Sequence, residues 1–309
     1  MSKRTRAIVV ASAFLLPNLL GFLFFTLGPA LTSLALAVTE WDLLTPPRFV
    51  GFANFGKLLG FSTEAGHWTP NDPFFWKYLG NTLFLMAGIP FSMFGSLLLA
   101  ILLNQKLRGI VAFRAIYFLP SICPAVAICM LWRWLYQADV GLFNAGIQQV
   151  GQWFGQSWRG PGWLVDQHWA KPALMQMGFW SALGGSNMIL YLAALQGIPR
   201  SCYEAAEIDG ASACQRFFNI TLPLVAPTTF FIGTMSIIAG FQGGFMAAFI
   251  MTRGGPNGAT TTLEYYIYQN GFQWLRMGYA SAVAWVLFAL VLGFTILGWR
   301  YAAKRVTYA

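Results

Sequence analysis

The sequence predicts an all-α membrane protein with six transmembrane helices, and three observations carry that prediction. Charged residues are 9% of the 309 positions, about a third of the ~25% typical of a soluble domain and too few to cover a water-facing surface. Hydrophobic side chains make up 57% and aromatic ones 17%, with a mean hydropathy of +0.57. Apolar stretches near the ~20 residues needed to cross a ~30 Å hydrocarbon core recur along the chain. The same composition excludes intrinsic disorder, a collagen or coiled-coil rod and a disulfide-stapled fold.

The expected spans lie near 8–38, 81–103, 111–135, 172–195, 228–251 and 279–299. Pro17 and Gly28-Pro29 interrupt the first, so a kinked or tilted helix is expected there. Lys3-Arg4-Arg6 before that run also fits a cleaved signal peptide, and Ala35-Leu36-Ala37 resembles a cleavage site. The run is about twice the length of a signal core and more spans follow, so retention is expected. Trp41, Trp76, Trp132, Trp134, Tyr136, Trp169, Trp274 and Trp299 gather at span ends, as an interfacial belt requires.

The charge balance is +9. Its basic residues sit between apolar runs and form no stripe of the kind that tracks nucleic acid, so no nucleic-acid partner is expected. Lys3, Arg4, Arg6, Lys106, Arg108, Arg114, Arg200, Arg216, Arg300, Lys304 and Arg305 fall on one side, in short loops and tails. Arg48, Lys57, Lys77, Arg159, Lys171, Arg253 and Arg276 fall on the other, in longer loops; the density differs about threefold, which places both termini in the cytoplasm. Cys123, Cys129, Cys202 and Cys214 show no zinc or redox spacing and are expected as free thiols. The organisation expected is a first part over 1–79, a five-helix core over 80–301 and a cytoplasmic tail over 302–309. No internal repeat or separate soluble domain is evident.

One inside loop, 196–223, stands apart. Three of the chain's ten acids, Glu204, Glu207 and Asp209, crowd into it. Pro199 ends the preceding span, Ser201 and Glu204 are spaced as a capping box, and Ala205, Ala206 and Ile208 sustain a short helix. Asp209-Gly210 supplies a turn, and 211–220 can form a second short helix with Phe217, Phe218 and Ile220 toward apolar surroundings. Such a loop can simply fold against its own helix ends. Its acids beside small residues instead favour the docking of another protein, because small side chains permit close approach.

Glu204-Ala205-Ala206, Gly210 and Ile220-Thr-Leu-Pro223 resemble the EAA loop of importer permeases of the ATP-binding-cassette (ABC) class. Glu-Ala-Ala-Glu-Ile-Asp-Gly-Ala with Phe218-Asn-Ile-Thr-Leu-Pro-Leu is similar, more narrowly, to the maltose-type carbohydrate permeases. Further matches are Phe49-Val-Gly-Phe-Ala-Asn54-Phe55, Gly141-Leu-Phe-Asn144, Trp163-Leu164, Leu195-Gln-Gly-Ile-Pro199, and Met251-Thr-Arg-Gly-Gly-Pro256 with Thr260-Thr-Thr and Tyr268. The chain departs from the family at Met246-Ala247-Ala248, where many members carry an aromatic–acid pair. The resemblance implies a type I ABC importer permease fold in a bacterial cytoplasmic (inner) membrane. It implies as partners a second homologous permease, an ABC ATPase dimer that uses ATP and Mg, an extracytoplasmic solute-binding protein, a carbohydrate substrate and membrane lipid. It implies that Ser201, Tyr203, Glu204, Ala205, Ala206, Asp209, Gly210, Ala211 and Phe218 couple to the ATPase, with Glu204 a polar anchor and Gly210 the sharp turn.

The chain is expected to bind no cofactor and to catalyse no reaction. Gly51-Phe-Ala-Asn-Phe-Gly56-Lys57-Leu58 has the outline of a phosphate-binding loop, but Leu58 lacks the hydroxyl that Mg²⁺ needs. His67 and His168 are isolated, so no metal site is expected. No span holds an acid well inside, which separates this chain from proton- or Na⁺-coupled carriers. An ion-coupled carrier or channel, and a membrane scaffold that recruits a partner through the acidic loop, remain the alternatives. Gly184-Gly185-Ser186-Asn187 and Phe241-Gln242-Gly243-Gly244 put polar and small groups near the bilayer midplane. With Trp180 and Phe241 as stacking surfaces, Gly184, Ser186, Asn187, Gln242 and Gly244 are candidate substrate-path residues; bonding and packing between helices explains the same residues equally well. The expected cargo is an uncharged sugar or polyol, since no intramembrane Lys or Arg cluster is present to meet a phosphate.

Overall fold

The computed structural model describes residues 3–64, 67–105 and 108–302. Lys106, Lys304, Arg305 and the tail from 303 lie outside these residues. Among the described residues, four helices are long and apolar enough to cross a membrane: Lys3–Ala37, Pro73–Leu103, Ala226–Thr252 and Met277–Arg300. The third and fourth expected spans are each broken, and the reason is local. Pro124 removes a backbone donor after Ile122, and the helices Ile110–Ile122 and Ala125–Leu135 meet at 98°. Gly184 leaves the helical region and Gly185 takes a φ of +51°, which separates Gln167–Leu183 from Gly185–Gln196. An apolar count sees neither break, because hydropathy does not report backbone angles.

The first helix continues through Pro17, and its irregularity is a π-helical turn, Leu23–Leu27, directly before Gly28-Pro29. Pro29 has no N–H to give to the preceding turn, and the wider π turn absorbs that loss. Two antiparallel ribbons depart from the all-helical expectation. Thr39–Glu40 pairs with Arg48–Phe49, and Phe61–Glu64 pairs with His67–Pro70. Both lie in the proline-rich segment between the first two long helices, where non-helical backbone needs partners of its own.

The chain forms two compact units. One comprises residues up to Pro73 with Tyr266–Leu287, the other Phe74–Tyr265 with the residues from Phe288. In the first unit, buried Asn54 donates to the carbonyls of Ala37 (3.0 Å) and Thr39 (2.8 Å), which satisfies oxygens left over at the end of the first helix. The buried Asp72 carboxylate accepts Tyr266 Oη at 2.7 Å and also the hydroxyl of Tyr279. Burial, and after it the hydrogen bond to Asp72, hold the Tyr266 hydroxyl well above its ordinary pKa, because removal from water disfavours the charged phenolate. Trp285 Nε1 donates to Ser33 Oγ at 3.1 Å, and a Cβ on Gly278 would sit 1.9 Å from the Thr39 carbonyl.

The second unit is organised around Ile89–Leu103, which packs on Gly185–Gln196, Gln167–Leu183 and Ala226–Phe241. Leu97, Leu103, Met188, Tyr191, Leu195, Val225 and Ile232 form one buried cluster. Trp132, Tyr136, Leu174, Met177 and Met251 form another. In the first unit, the pseudo-phosphate loop is a short helix, Ala53–Leu59, with Leu58 fully buried.

Candidate functional site

The loop after Gln196 folds as two short helices, Arg200–Ile208 and Ala213–Arg216, joined by a turn at Gly210. Gly210 has a φ of +76°, which only glycine adopts without strain. Gly210 N donates to Glu207 O (3.0 Å) and Ala211 N to Ala206 O (2.8 Å), so the carbonyls of the helix end are satisfied inside the turn. The capping expectation is corrected. The first helix starts behind Pro199 without a side-chain cap, and Ser201 and Glu204 are both exposed. The capping box lies one helix later, where Ser212 Oγ accepts Gln215 N and Ser212 N donates to Gln215 Oε1 at 2.7 Å. Proline sets the first helix's entry angle by itself, and the second helix, which follows a glycine turn, needs the side-chain cap. An ion pair between Glu207 and Arg216 ties the two helices together.

This elbow is fixed at its base and open at its tip. Tyr203 Oη and buried Thr221 Oγ1 are 2.9 Å apart, and Tyr203 and Phe217 pack on the Leu97–Ile232 cluster. Glu204, Ala205 and Asp209 are exposed, and Ala206 and Ala211 half-buried. Phe218, expected to face apolar surroundings, is 57% exposed; its ring meets the Phe217 ring edge-on at 5.0 Å, at the start of the π-helical turn Phe217–Thr221, and its other side is open. Ile208 is 87% exposed at the tip. In the sequence Ile208 counts only as a helix former; its signal there is a large apolar side chain flanked by two acids, Glu207 and Asp209.

The substrate-path candidates separate into distinct surroundings. Gly184 sits at a close approach, since a Cβ there would lie 2.1 Å from the Tyr117 carbonyl. The single hydroxyl proton of buried Ser96 is within reach of Leu183 O (2.7 Å) and Ala182 O (3.1 Å) at the break, and of Ser92 O (2.7 Å) on its own helix. Ser186 is exposed and Asn187 half-buried. Trp180 meets Trp132 edge-on at 5.5 Å. Phe241 is corrected as a ring open to ligand: it is fully buried and tilted against Phe294 at 5.3 Å. Gln242 is exposed at the end of Ala226–Phe241, and Gly244 has a φ of +93°.

After Gly244 the helix restarts at Phe245, whose backbone N–H donates to the Glu264 carboxylate at 3.1 Å. Burial raises the Glu264 pKa and this bond partly offsets it. Glu264 lies outside any apolar run or motif, so the sequence gives no signal for it. Gly240, Gly243 and Gly244 open onto a cavity of about 250 Å³ with Met86, Ser92, Met175 and Thr262 in its wall. Of the named path residues only Gly244 lines it. The motif segment after Met251 is stitched in from below: buried Asn81 donates to the carbonyls of Gly258 and Thr261, both at 2.9 Å, and Leu263 N donates to Thr82 Oγ1 at 3.1 Å. Asn144, also buried, accepts Trp163 Nε1 at 2.7 Å and donates to Ala138 O at 2.9 Å. Among the described residues no three His, Cys, Asp or Glu side chains converge as a metal site.

Residues 73–306 match the family model described as the binding-protein-dependent transport system inner membrane component. The probable ABC transporter permease protein YesP of Bacillus subtilis is 34% identical, over 99% of this chain and 96% of its own length. The sn-glycerol-3-phosphate transport system permease protein UgpA of Pectobacterium atrosepticum is 33% identical, over 95% and 94%. The fold matches a chain of a bacterial ABC transporter that imports the acidic polysaccharide alginate, with a TM-score of 0.81, 23% identity and 98% of each chain covered. A second structure of the alginate transporter, in complex with an alginate pentasaccharide-bound periplasmic protein, matches with a TM-score of 0.82 over 99% of this chain and 98% of that one, again at 23% identity.

Proposed function

The chain belongs to the inner-membrane components of binding-protein-dependent transport systems, and from that premise we propose that it passes a sugar or related polyol inward by alternating access. The cargo is an oligosaccharide, a glycoside or a glycerol derivative. Energy comes from ATP and Mg used by a separate ATPase dimer that docks on 201–219. A second permease completes the pathway, an extracytoplasmic solute-binding protein delivers the cargo, and both termini of this multi-pass chain are cytoplasmic. The relatives' described cargoes, glycerol 3-phosphate and alginate, support a hydroxyl-rich substrate.

The elbow carries this reading. Its hydrogen bonds close within itself, its tip offers Ile208 between acids, and its base is joined to the membrane core through Tyr203, Phe217 and Thr221. A load applied at such a tip reaches the span that starts at Ala226 through a short rigid path. On this account Glu204, Asp209 and Phe218 form the docking face, with Gly210 holding the angle, and Gly244 and Gln242 lie on the path. The test is co-purification with an ATPase and sugar-stimulated ATP turnover in liposomes. Uptake driven by an ion gradient without nucleotide overturns it.

A further inference from the structure

A second cavity, of about 520 Å³, shares no lining residue with the elbow or with the glycine-break cavity. Arg133, Trp134 and Gln137 line it from the end of Ala125–Leu135, and Trp163 and Thr252 from two other segments. Its volume falls within the ~300–1,000 Å³ of small-ligand pockets. The Trp163 indole is held in place by its bond to Asn144, while the Trp134 ring is half exposed. Arg133 gives one N–H to the Ile250 carbonyl at 3.2 Å, and among the described residues no carboxylate pairs with it. A guanidinium carries five N–H donors in a planar fork that matches an oxyanion.

We propose that this pocket binds a sugar ring carrying an oxyanion, a carboxylate or a phosphate ester. The exposed Trp134 indole stacks on the C–H face of the ring, Trp163, packed among Tyr136, Phe143 and Trp169, forms a rigid wall, the Gln137 amide pairs with hydroxyls, and Arg133 takes the charge. A hydrophobic slot without a cation has no way to prefer an acidic sugar, and a lone surface arginine has no way to hold a ring; this pocket has both elements. The proposal rests on the sugar-import reading and makes it specific, replacing the expected uncharged cargo with an anionic one. The competing occupant is an anionic lipid headgroup, since Arg and Trp also gather at membrane interfaces. The concave wall contributed by 162–165, which lies outside the apolar spans, favours the sugar.

The experiment titrates digalacturonate, glucose 6-phosphate and maltose against the purified full chain in phosphatidylcholine nanodiscs, followed by tryptophan emission. At least one anionic sugar is expected to bind about tenfold more tightly than maltose, a factor worth about 1.4 kcal/mol. Whether digalacturonate or glucose 6-phosphate does so identifies the oxyanion. Arg133→Gln should erase the preference while leaving maltose within about twofold, Arg133→Lys should keep part of it because the charge survives without the fork, and Trp134→Phe should shrink the emission change. Equal affinity for neutral and anionic sugars, no saturable response, or a response blocked by phosphatidylglycerol in the disc each overturns the proposal. Binding in the disc needs no nucleotide. Absence of selectivity in the unsubstituted chain with ATP-driven uptake intact therefore sinks the pocket alone, while failure of ATPase attachment sinks the importer reading alone.

Discussion

Two connecting segments of the second unit, 200–221 and 252–264, are built on opposite plans. The first satisfies its turn within itself, through Gly210, the Ser212–Gln215 box and the Glu207–Arg216 pair, and exposes Glu204, Ile208 and Phe218. The second buries Thr260, Thr261, Thr262 and Leu263; its threonines make some bonds within the segment, but the carbonyls of Gly258 and Thr261 and the amide of Leu263 take their partners, Asn81 and Thr82, from a distant helix. A segment whose polar groups are internally paired can be handled as a rigid body by something outside the fold. One whose carbonyls depend on another helix is part of the scaffold and cannot move without leaving buried groups unpaired. Exposure and rigidity together mark the first as a contact element, while sequence distinctiveness marks both equally.

The largest effect should come from breaking the first plan. Gly210→Pro imposes φ near −65° where +76° is needed and deletes the bond to Glu207 O. Uptake in membrane vesicles should fall to background with the subunit still inserted; unchanged transport counts against the docking model. Breaking the second plan with Asn81→Leu leaves two buried carbonyls without donors, a cost of about 2–4 kcal/mol. A clear drop in the unfolding temperature of the detergent-solubilised chain is expected, and an unchanged one means the segment does not need its staple. Ser212→Ala removes a side-chain cap worth about 1 kcal/mol. Amide exchange should accelerate locally at Gln215 without a change in global unfolding; if the whole unit loosens instead, the elbow is not self-contained. Gln242→Leu, an exposed side chain at the Gly243-Gly244 break, should shift sugar preference or rate while ATPase attachment persists. Wild-type kinetics over a panel of sugars return Gln242 to a packing role.

The helical membrane class was legible because it depends on composition, and the elbow was legible because glycine, proline and capping residues act locally. The wrong assignment of the capping box to Ser201 and Glu204 shows the limit of spacing. Ser201 and Glu204 have the right spacing but lie where Pro199 has already begun a helix, while Ser212 and Gln215 form the box that the structure shows. Several residues in the segments that carry the resemblance, Asn54, Asn144 and Thr260 among them, are buried structural ties. Residues that finish the helix breaks, Ser96 and Glu264, carried no pattern at all, since each acts on backbone far away in the chain.

By itself the sequence determined that the chain spans a membrane with helices and that an acidic turn-bearing loop interrupts them. Apolar content and turn chemistry are properties of neighbours in the chain. Tertiary structure decided that two expected spans are broken, that Phe241 is closed off against Phe294, and that Arg133 shares a cavity with Trp163. Each of these is a meeting of residues from different segments, and the free energy that sets it comes from burial and pairing that exist only once the helices pack.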